Sequence, residues 1–275
     1  MNKNKKRMAK GIAAAALIGV IAVGSTLAYL SSVTETKTNK FTGAGNIDAT
    51  IDETNWKEDV EYLPGEVKAK NPQITNSLDS STPIYTGVKI EFTDKDGKPI
   101  SYADFQENYG KLQIADLKDS EGKIISWKDG INTSAWTMAD DKYGDKGIFV
   151  YYSANNGILG KGAETDPAVF DGLKVNGAIK KVITSTTTEV YPAITDPDTG
   201  KLVADKTNGA LKTGTAIDQY QVVVDENGNI VEDATGLPEF NVNVTGYGVQ
   251  ATDSTKDNYK DELLYLAGLE QRPTE

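Results

Sequence analysis

Apolar and polar positions alternate along much of the chain, and this alternation predicts β-strands. Ile84, Thr86, Val88, Ile90 and Phe92 are interleaved with Tyr85, Gly87, Lys89 and Glu91, the period-2 signature of a strand. Ile47, Ala49 and Ile51 alternate with Asp48, Thr50 and Asp52 in the same way. Ile148–Tyr152 is a continuous apolar and aromatic run, as in the buried strand of a sandwich. Phe240, Val242 and Val244 share one face, but after Gly246 the apolar set becomes Tyr247, Val249 and Ala251. That change of parity predicts a bulge near Thr245-Gly246, which would return the strand to a single core face. Val67 to Ile74 reads as one further strand, which Pro72 places at a sheet edge. Ile124 to Trp127, the Thr-rich stretch Ala178 to Val190, and Gln219 to Val224 complete the strand set.

Two stretches follow a helical period. Phe105, Tyr109, Leu112 and Leu117 predict one short, irregular helix within Ser101–Lys118, interrupted by Gly110. Tyr259 to Ala267 predicts a short amphipathic helix. Turn chemistry separates these segments. Leu63-Pro64-Gly65-Glu66 suits a type II bend. Asp94–Gly97 and Asp225–Asn229 suit hairpin turns. Tyr191 to Gly209 carries Pro192, Pro197 and Gly200 and reads as an exposed hairpin or insertion. The sum is about ten short strands with one or two short helices. The fold class is all-β, a jelly-roll-like antiparallel β-sandwich.

The N-terminal end is patterned differently. Lys3, Lys5, Lys6, Arg7 and Lys10 precede an apolar run from Gly11 to Val23, which is shorter than the ~20 residues a spanning helix needs. Thr26 and Ala28 fit positions −3 and −1 of a cut before Tyr29. Residues 1–28 are therefore expected to be a cleaved signal peptide, with the protein secreted to the extracellular matrix or cell surface and left without a stable membrane span. Residues 29–42 follow as a Ser-, Thr- and Val-rich segment that suits a strand. Its apolar residues Tyr29, Leu30 and Val33 do not alternate cleanly, and a disordered mature terminus is the alternative. Residues 43–270 form the expected sandwich domain, and 271–275 a polar tail.

Composition narrows the chemistry. A formal charge of −11 in 275 residues disfavours nucleic acid as a partner. The chain has no cysteine, which is ordinary for an exported protein of a Gram-positive bacterium. It also has no histidine, which removes Ser-His-Asp and Cys-His catalysis and the His-based zinc motifs. Asp198-Thr199-Gly200 matches the core triplet of aspartic proteases, but no second copy exists; a turn explains it. Asp94-Lys95-Asp96-Gly97 and Asp225–Asn229 place oxygens at alternate positions without the terminal bidentate Glu of a calcium loop. Asp140-Asp141 reads as an acidic turn. Tyr85, Tyr151, Tyr152, Trp56, Trp127 and Trp136 read as core or rim residues rather than a ligand groove. No catalytic, cofactor-binding or metal-binding residue is assigned, and no cofactor is expected.

Several stretches, taken in order, carry a resemblance. They are the signal end Ala28-Tyr29-Leu30, then Asn39–Asp48 (NKFTGAGNID), Leu63-Pro64-Gly65-Glu66 with Asn76, the strand Tyr85 to Phe92, and Val244–Ala251 (VTGYGVQA). Together they resemble the TasA/camelysin family of exported proteins of Bacillota. The resemblance implies a jelly-roll domain, cleavage by an ER-type signal peptidase and, for the TasA branch, protein fibres of the biofilm matrix. In such fibres the N-terminal segment of one subunit completes the sheet of the next. Here the donor strand would carry Tyr29, Leu30, Val33 and Phe41. Strand addition of this kind is head-to-tail and builds an open homopolymer, to which accessory matrix proteins can attach. The camelysin branch implies a surface metalloprotease instead. A chain without histidine would need an all-carboxylate site, better suited to calcium or magnesium than to zinc. A monomeric surface binding module, for carbohydrate or host protein, is the third reading.

Overall fold

The computed structural model describes residues 26–27, 49–53, 62–80, 82–139, 141–152, 157–185 and 187–271. In chain order the first elements are β1 (Thr26–Leu27), β2 (Ala49–Glu53), β3 (Val67–Ala69), β4 (Pro72–Asn76), β5 (Ile84–Asp94) and β6 (Pro99–Ile100). Helix α1 (Tyr102–Asn108) leads into β7 (Gly110–Lys118), β8 (Ile124–Asp129), β9 (Trp136–Met138), β10 (Ile148–Tyr151), β11 (Ile158–Leu159) and β12 (Gly172–Val175). Then come β13 (Lys181–Ile183), β14 (Tyr191–Thr195), β15 (Leu202–Ala204), β16 (Ala216–Ile217), β17 (Val223–Val224) and β18 (Thr235–Gly236). The chain closes with β19 (Phe240–Gln250) and α2 (Tyr259–Leu266). All described strand pairs are antiparallel, as the all-β reading expects, although the strands are more numerous and shorter.

The main sheet has the order β1-β19-β5-β10-β9, with β6 and β11 pairing elsewhere along β5. A second sheet runs β3-β12-β7-β8, and β2 pairs with β4. The apolar core lies between these layers. Ile84, Val88, Ile90 and Phe92 of β5 meet Leu112, Leu173 and Val175 of the second sheet, together with Phe105 of α1. The even-numbered residues of β5 face this core, as the alternation predicts.

The face of the main sheet that carries the odd-numbered residues of β5 is buried too. Tyr85, Val150, Tyr247 and Val249 pack against Leu263, Leu264 and Leu266 of α2. This explains the parity change in β19 and corrects the expected bulge. β19 pairs with β5 in unbroken register from Phe240↔Asp94 to Gln250↔Ile84. Phe240, Val242 and Val244 enter the sandwich core, while Tyr247 and Val249 point to the opposite face and are covered by the helix. The strand keeps its period of two; its burying partner changes.

Three further expectations are corrected. The helix over Ser101–Lys118 ends at Asn108, and β7 begins at Gly110. Ser101 caps the helix, its Oγ accepting from Asp104 N at 3.1 Å. A Cβ at position 110 would stand 2.6 Å from the Lys174 carbonyl oxygen, so β7 approaches β12 too closely there for a side chain. The single strand over Val67–Ile74 divides at Lys70-Asn71 into β3 and β4, which join different sheets; Pro72 stands at the first residue of β4, where its missing N–H is tolerated. The Thr-rich stretch Ala178–Val190 forms only β13 and an isolated bridge from Val190 to Leu211. Residues from β13 to β18 are an insertion between β12 and β19. They build two three-stranded sheets, β16-β13-β18 and β15-β14-β17, over a small core of Ile183, Val190, Ile217, Val223 and Ala234. The expected exposed hairpin, Tyr191 to Gly209, contributes β14 and β15 to it.

Candidate functional site

The cleavage pair Ala28 and Tyr29, and the donor-strand residues Leu30, Val33 and Phe41, lie outside the described residues. What is described is the segment just before them. Thr26 and Leu27 form β1, which pairs antiparallel with the outer edge of β19, Thr26 opposite Val242 and Leu27 opposite Asn241. Among the described residues no other strand pairs with that edge. β19 is eleven residues long and mostly buried, and among the described residues its partner on the far side spans a short stretch near its start. Sequence reading had assigned Thr26 to a cleavage site and had no means to locate this edge.

Two asparagines mark the paired stretch. Asn241 and Asn243 are 7% and 6% exposed. Asn241 donates through Nδ2 to Thr93 Oγ1 and to the Asp94 carbonyl, each at 3.0 Å. Among the described residues the Oδ1 atoms of both asparagines are buried without a hydrogen-bond partner, an uncommon state for a buried amide.

The candidate chemical sites resolve into structure. Asp198-Thr199-Gly200 turns the chain between β14 and β15, and the Asp196 carboxylate Oδ1 accepts from the Asp198 and Thr199 amides at 2.9 and 2.8 Å. Asp94, Asp119 and Asp225 each open an Asp-x-x-Gly hairpin turn. In each, one carboxylate oxygen accepts from the amides two and four residues on, at 2.8–3.0 Å. The Gly at the fourth position has φ between 79° and 83°, where other residues are strained. These carboxylates are engaged by backbone N–H groups, which is a turn-capping role. Asp141 opens a 3₁₀ helix, while Asp140 and Trp56 lie outside the described residues. Tyr85 stacks on Tyr259 with ring centres 4.1 Å apart, and Tyr151 packs on Trp136 at 5.1 Å. Tyr152 carries the Lys260 ammonium 4.7 Å above its ring. Burial raises the Tyr247 hydroxyl above the usual tyrosine range, with Glu91 adding to the effect.

The turn role of Asp225 has a pH signature. Hydrogen bonds from the Asn229 side chain and backbone hold its carboxyl below the ordinary value of 3.8. A folded-state value below the unfolded one stabilises the protein above the ordinary range, and this is lost as pH falls through the folded value. Asp225→Ala is therefore expected to lower the melting temperature at pH 7. The gap from the parent protein should narrow as pH drops below 3.8. Thermal unfolding of both proteins across that range checks this; a gap independent of pH would refute it.

A match to known families stands beside this geometry. Residues 3–117 fit the model of a family described as camelysin metallo-endopeptidase. No curated protein and no solved structure matches the chain. The family description implies a metal. Zinc peptidase centres draw on imidazole ligands, and this chain has no histidine. Among the described residues no three acidic side chains come together so as to hold a metal ion. The described residues thus do not fit a zinc centre. Among them, too, no helix is long and apolar enough to cross a membrane. The match begins in the basic N-terminal segment and runs through β5 and α1 into β7, covering the stretches that carry the resemblance up to Phe92 but not Val244–Ala251. Over residues 3–117, less than half of the chain, the sequence is similar to the camelysin family, a match consistent with the resemblance to the TasA/camelysin family.

Proposed function

We propose that this protein is a secreted structural subunit of an extracellular fibre, polymerised by donation of residues 29–41 into the main sheet of a neighbour. The observation that carries this reading is the pairing of Thr26–Leu27 with the outer edge of β19. The segment that immediately precedes the expected donor strand already lies along that edge. Removal of residues 1–28 takes β1 away, and among the described residues β19 then has no strand partner on that side. The backbone N–H and C=O groups of such an edge are a template for strand addition. At ~3.3 Å per residue, the segment from Tyr29 to Phe41 is long enough to run beside all of β19. A donor at one end and an acceptor edge elsewhere make the contact head-to-tail, and head-to-tail contacts propagate as filaments.

Deleting residues 29–40 is expected to leave a folded monomer with an unchanged β-rich circular dichroism spectrum. It should form no filaments in negative-stain micrographs under conditions where the parent protein does. Filaments of normal length from the deletion variant would overturn the reading. The family description supports a second reading, a metallo-endopeptidase; casein cleavage that survives purification and stops on chelation would favour it.

A further inference from the structure

A cleft of about 400 Å³ opens beside the second sheet, between the start of β4, the β7–β8 hairpin and the loop that leads into β12. Trp127 of β8 forms one wall. Its indole lies against Gly172 of β12: a Cβ there would stand 2.7 Å from Cζ3 and 3.0 Å from Cη2. The bare glycine is what lets the ring lie down on the sheet in this position.

Planar polar groups line the other walls, and they are held in place. Asn71 donates Nδ2 to Gln73 Oε1 at 3.1 Å, and Gln73 donates Nε2 to the Thr165 carbonyl at 2.8 Å. Asp171 accepts at Oδ2 from Ala115 N at 3.0 Å and Asn132 Nδ2 at 3.2 Å. Other groups at the cleft are uncommitted. Among the described residues, the Asp166 carboxylate, the Lys118 and Lys123 ammonium groups and the Trp127 indole N–H make no hydrogen bond or ion pair.

These groups define a ligand by chemistry. Two carboxylates and two ammonium groups balance, so an anion would meet Asp166 and Asp171, and a cation would meet Lys118 and Lys123. A purely apolar ligand would desolvate all four charges without pairing them. A sugar ring suits every feature. Its C–H face packs on an aromatic plane, and its hydroxyls both donate to carboxylates and amide oxygens and accept from ammonium and indole N–H. The cleft lies at the lower end of the size range of small-molecule sites, with room for one or two pyranose rings. We infer that it binds an uncharged saccharide, with Trp127 as the stacking platform and Asp166, Asp171 and Lys123 as hydroxyl partners. The site is distinct from the β19 edge and is independent of fibre assembly.

Calorimetric titration of the purified protein with cellohexaose, chitohexaose and hexagalacturonate tests this. Saturable binding of cellohexaose or chitohexaose is expected, with a dissociation constant in the ~millimolar range or tighter. Trp127→Ala should weaken it about tenfold or more. Because Trp127 also packs on Gly172, Asp166→Asn and Lys123→Ala serve as second variants; both residues are exposed, and each should weaken binding while the melting temperature holds. No binding of either neutral hexasaccharide would overturn the inference. So would equal affinity in the parent protein and all three variants, or binding of hexagalacturonate alone.

Discussion

Replacing Phe105 with alanine is expected to lower the free energy of unfolding by about 3–5 kcal/mol. The side chain is fully buried and is the buried residue of α1. Its ring stacks on Phe92 at 4.0 Å between centres and meets Phe240 edge-on at 5.3 Å. Tyr109, which caps the helix, stacks on it at 6.1 Å. Aromatic pairs of this kind contribute about 0.5–1.5 kcal/mol each beyond the area they bury. A seven-residue helix is too short to persist without tertiary contacts, and Phe105 supplies the contact that joins α1 to β5 and β19. The cavity left by alanine would be walled by strand residues fixed on both sides, so it would collapse little. Urea unfolding followed by tyrosine fluorescence measures the loss. A change below about 1.5 kcal/mol, the range of a tolerated core swap, would show that α1 is not anchored in this way.

The same ring shows why the sequence was legible in some places and not in others. Phe105, Tyr109 and Leu112 sit at spacings that suit one helix, yet the first two serve α1 and its cap while Leu112 belongs to β7. At Gly110 the chain pairs with Val175 of β12, too closely for a side chain, and that partner lies more than sixty positions away. β5 was readable because its even-numbered residues are apolar and face a core made by several elements. β19 was readable as a strand, but its change of parity suggested a bulge. A helix covering the second face of the sheet, made by Leu263 and Leu264, cannot be inferred from β19 itself. The insertion was hardest. Its core residues Ile183, Val190, Ile217, Val223 and Ala234 are separated by polar loops, and strands that, β14 apart, have two or three residues carry too few positions for a period to register.

The candidate sites divide along the same line. The Asp-x-x-Gly turns are local, and their residues state their own geometry. An acceptor edge is a property of sheet order. Nothing in Phe240–Gln250 says that β5 lies on one side and β1 on the other. The cleft at Trp127 likewise gathers residues from three separate stretches, near 71–73, 118–127 and 166–171. Trp127 was read as core or rim, and its role as a wall follows from the glycine beneath it, on a strand two removed in the sheet.

Gly147→Ala is expected to destabilise the protein by about 2–5 kcal/mol, through two causes that can be separated. Gly147 has φ of 61°, a left-handed conformation that costs an L-residue roughly 1–2 kcal/mol. It also lies against the centre of β5. A Cβ would stand 2.6 Å from the Ile90 carbonyl oxygen and 3.3 Å from the Ile90 Cβ. Neither atom can retreat. Ile90 is fully buried, its amide donates to the Gly147 carbonyl at 2.9 Å, and β5 is paired with β19 on one side and β10 on the other. Forcing the two chains apart would disturb the register that brings Ile148 opposite Lys89, at an overpacking cost of about 1–3 kcal/mol. Gly122 supplies the control. Its φ is 83° and nothing lies within 4 Å of its added Cβ, so Gly122→Ala should show the conformational cost alone, about 1–2 kcal/mol. Urea midpoints of the two variants, read at unchanged m, give the difference directly. Equal losses would show that β5 yields at Ile90 and that the closeness of the two strands is not a constraint; a larger loss at Gly147 places the constraint in the backbone of the central strand, the same strand that aligns β19 and its outer edge.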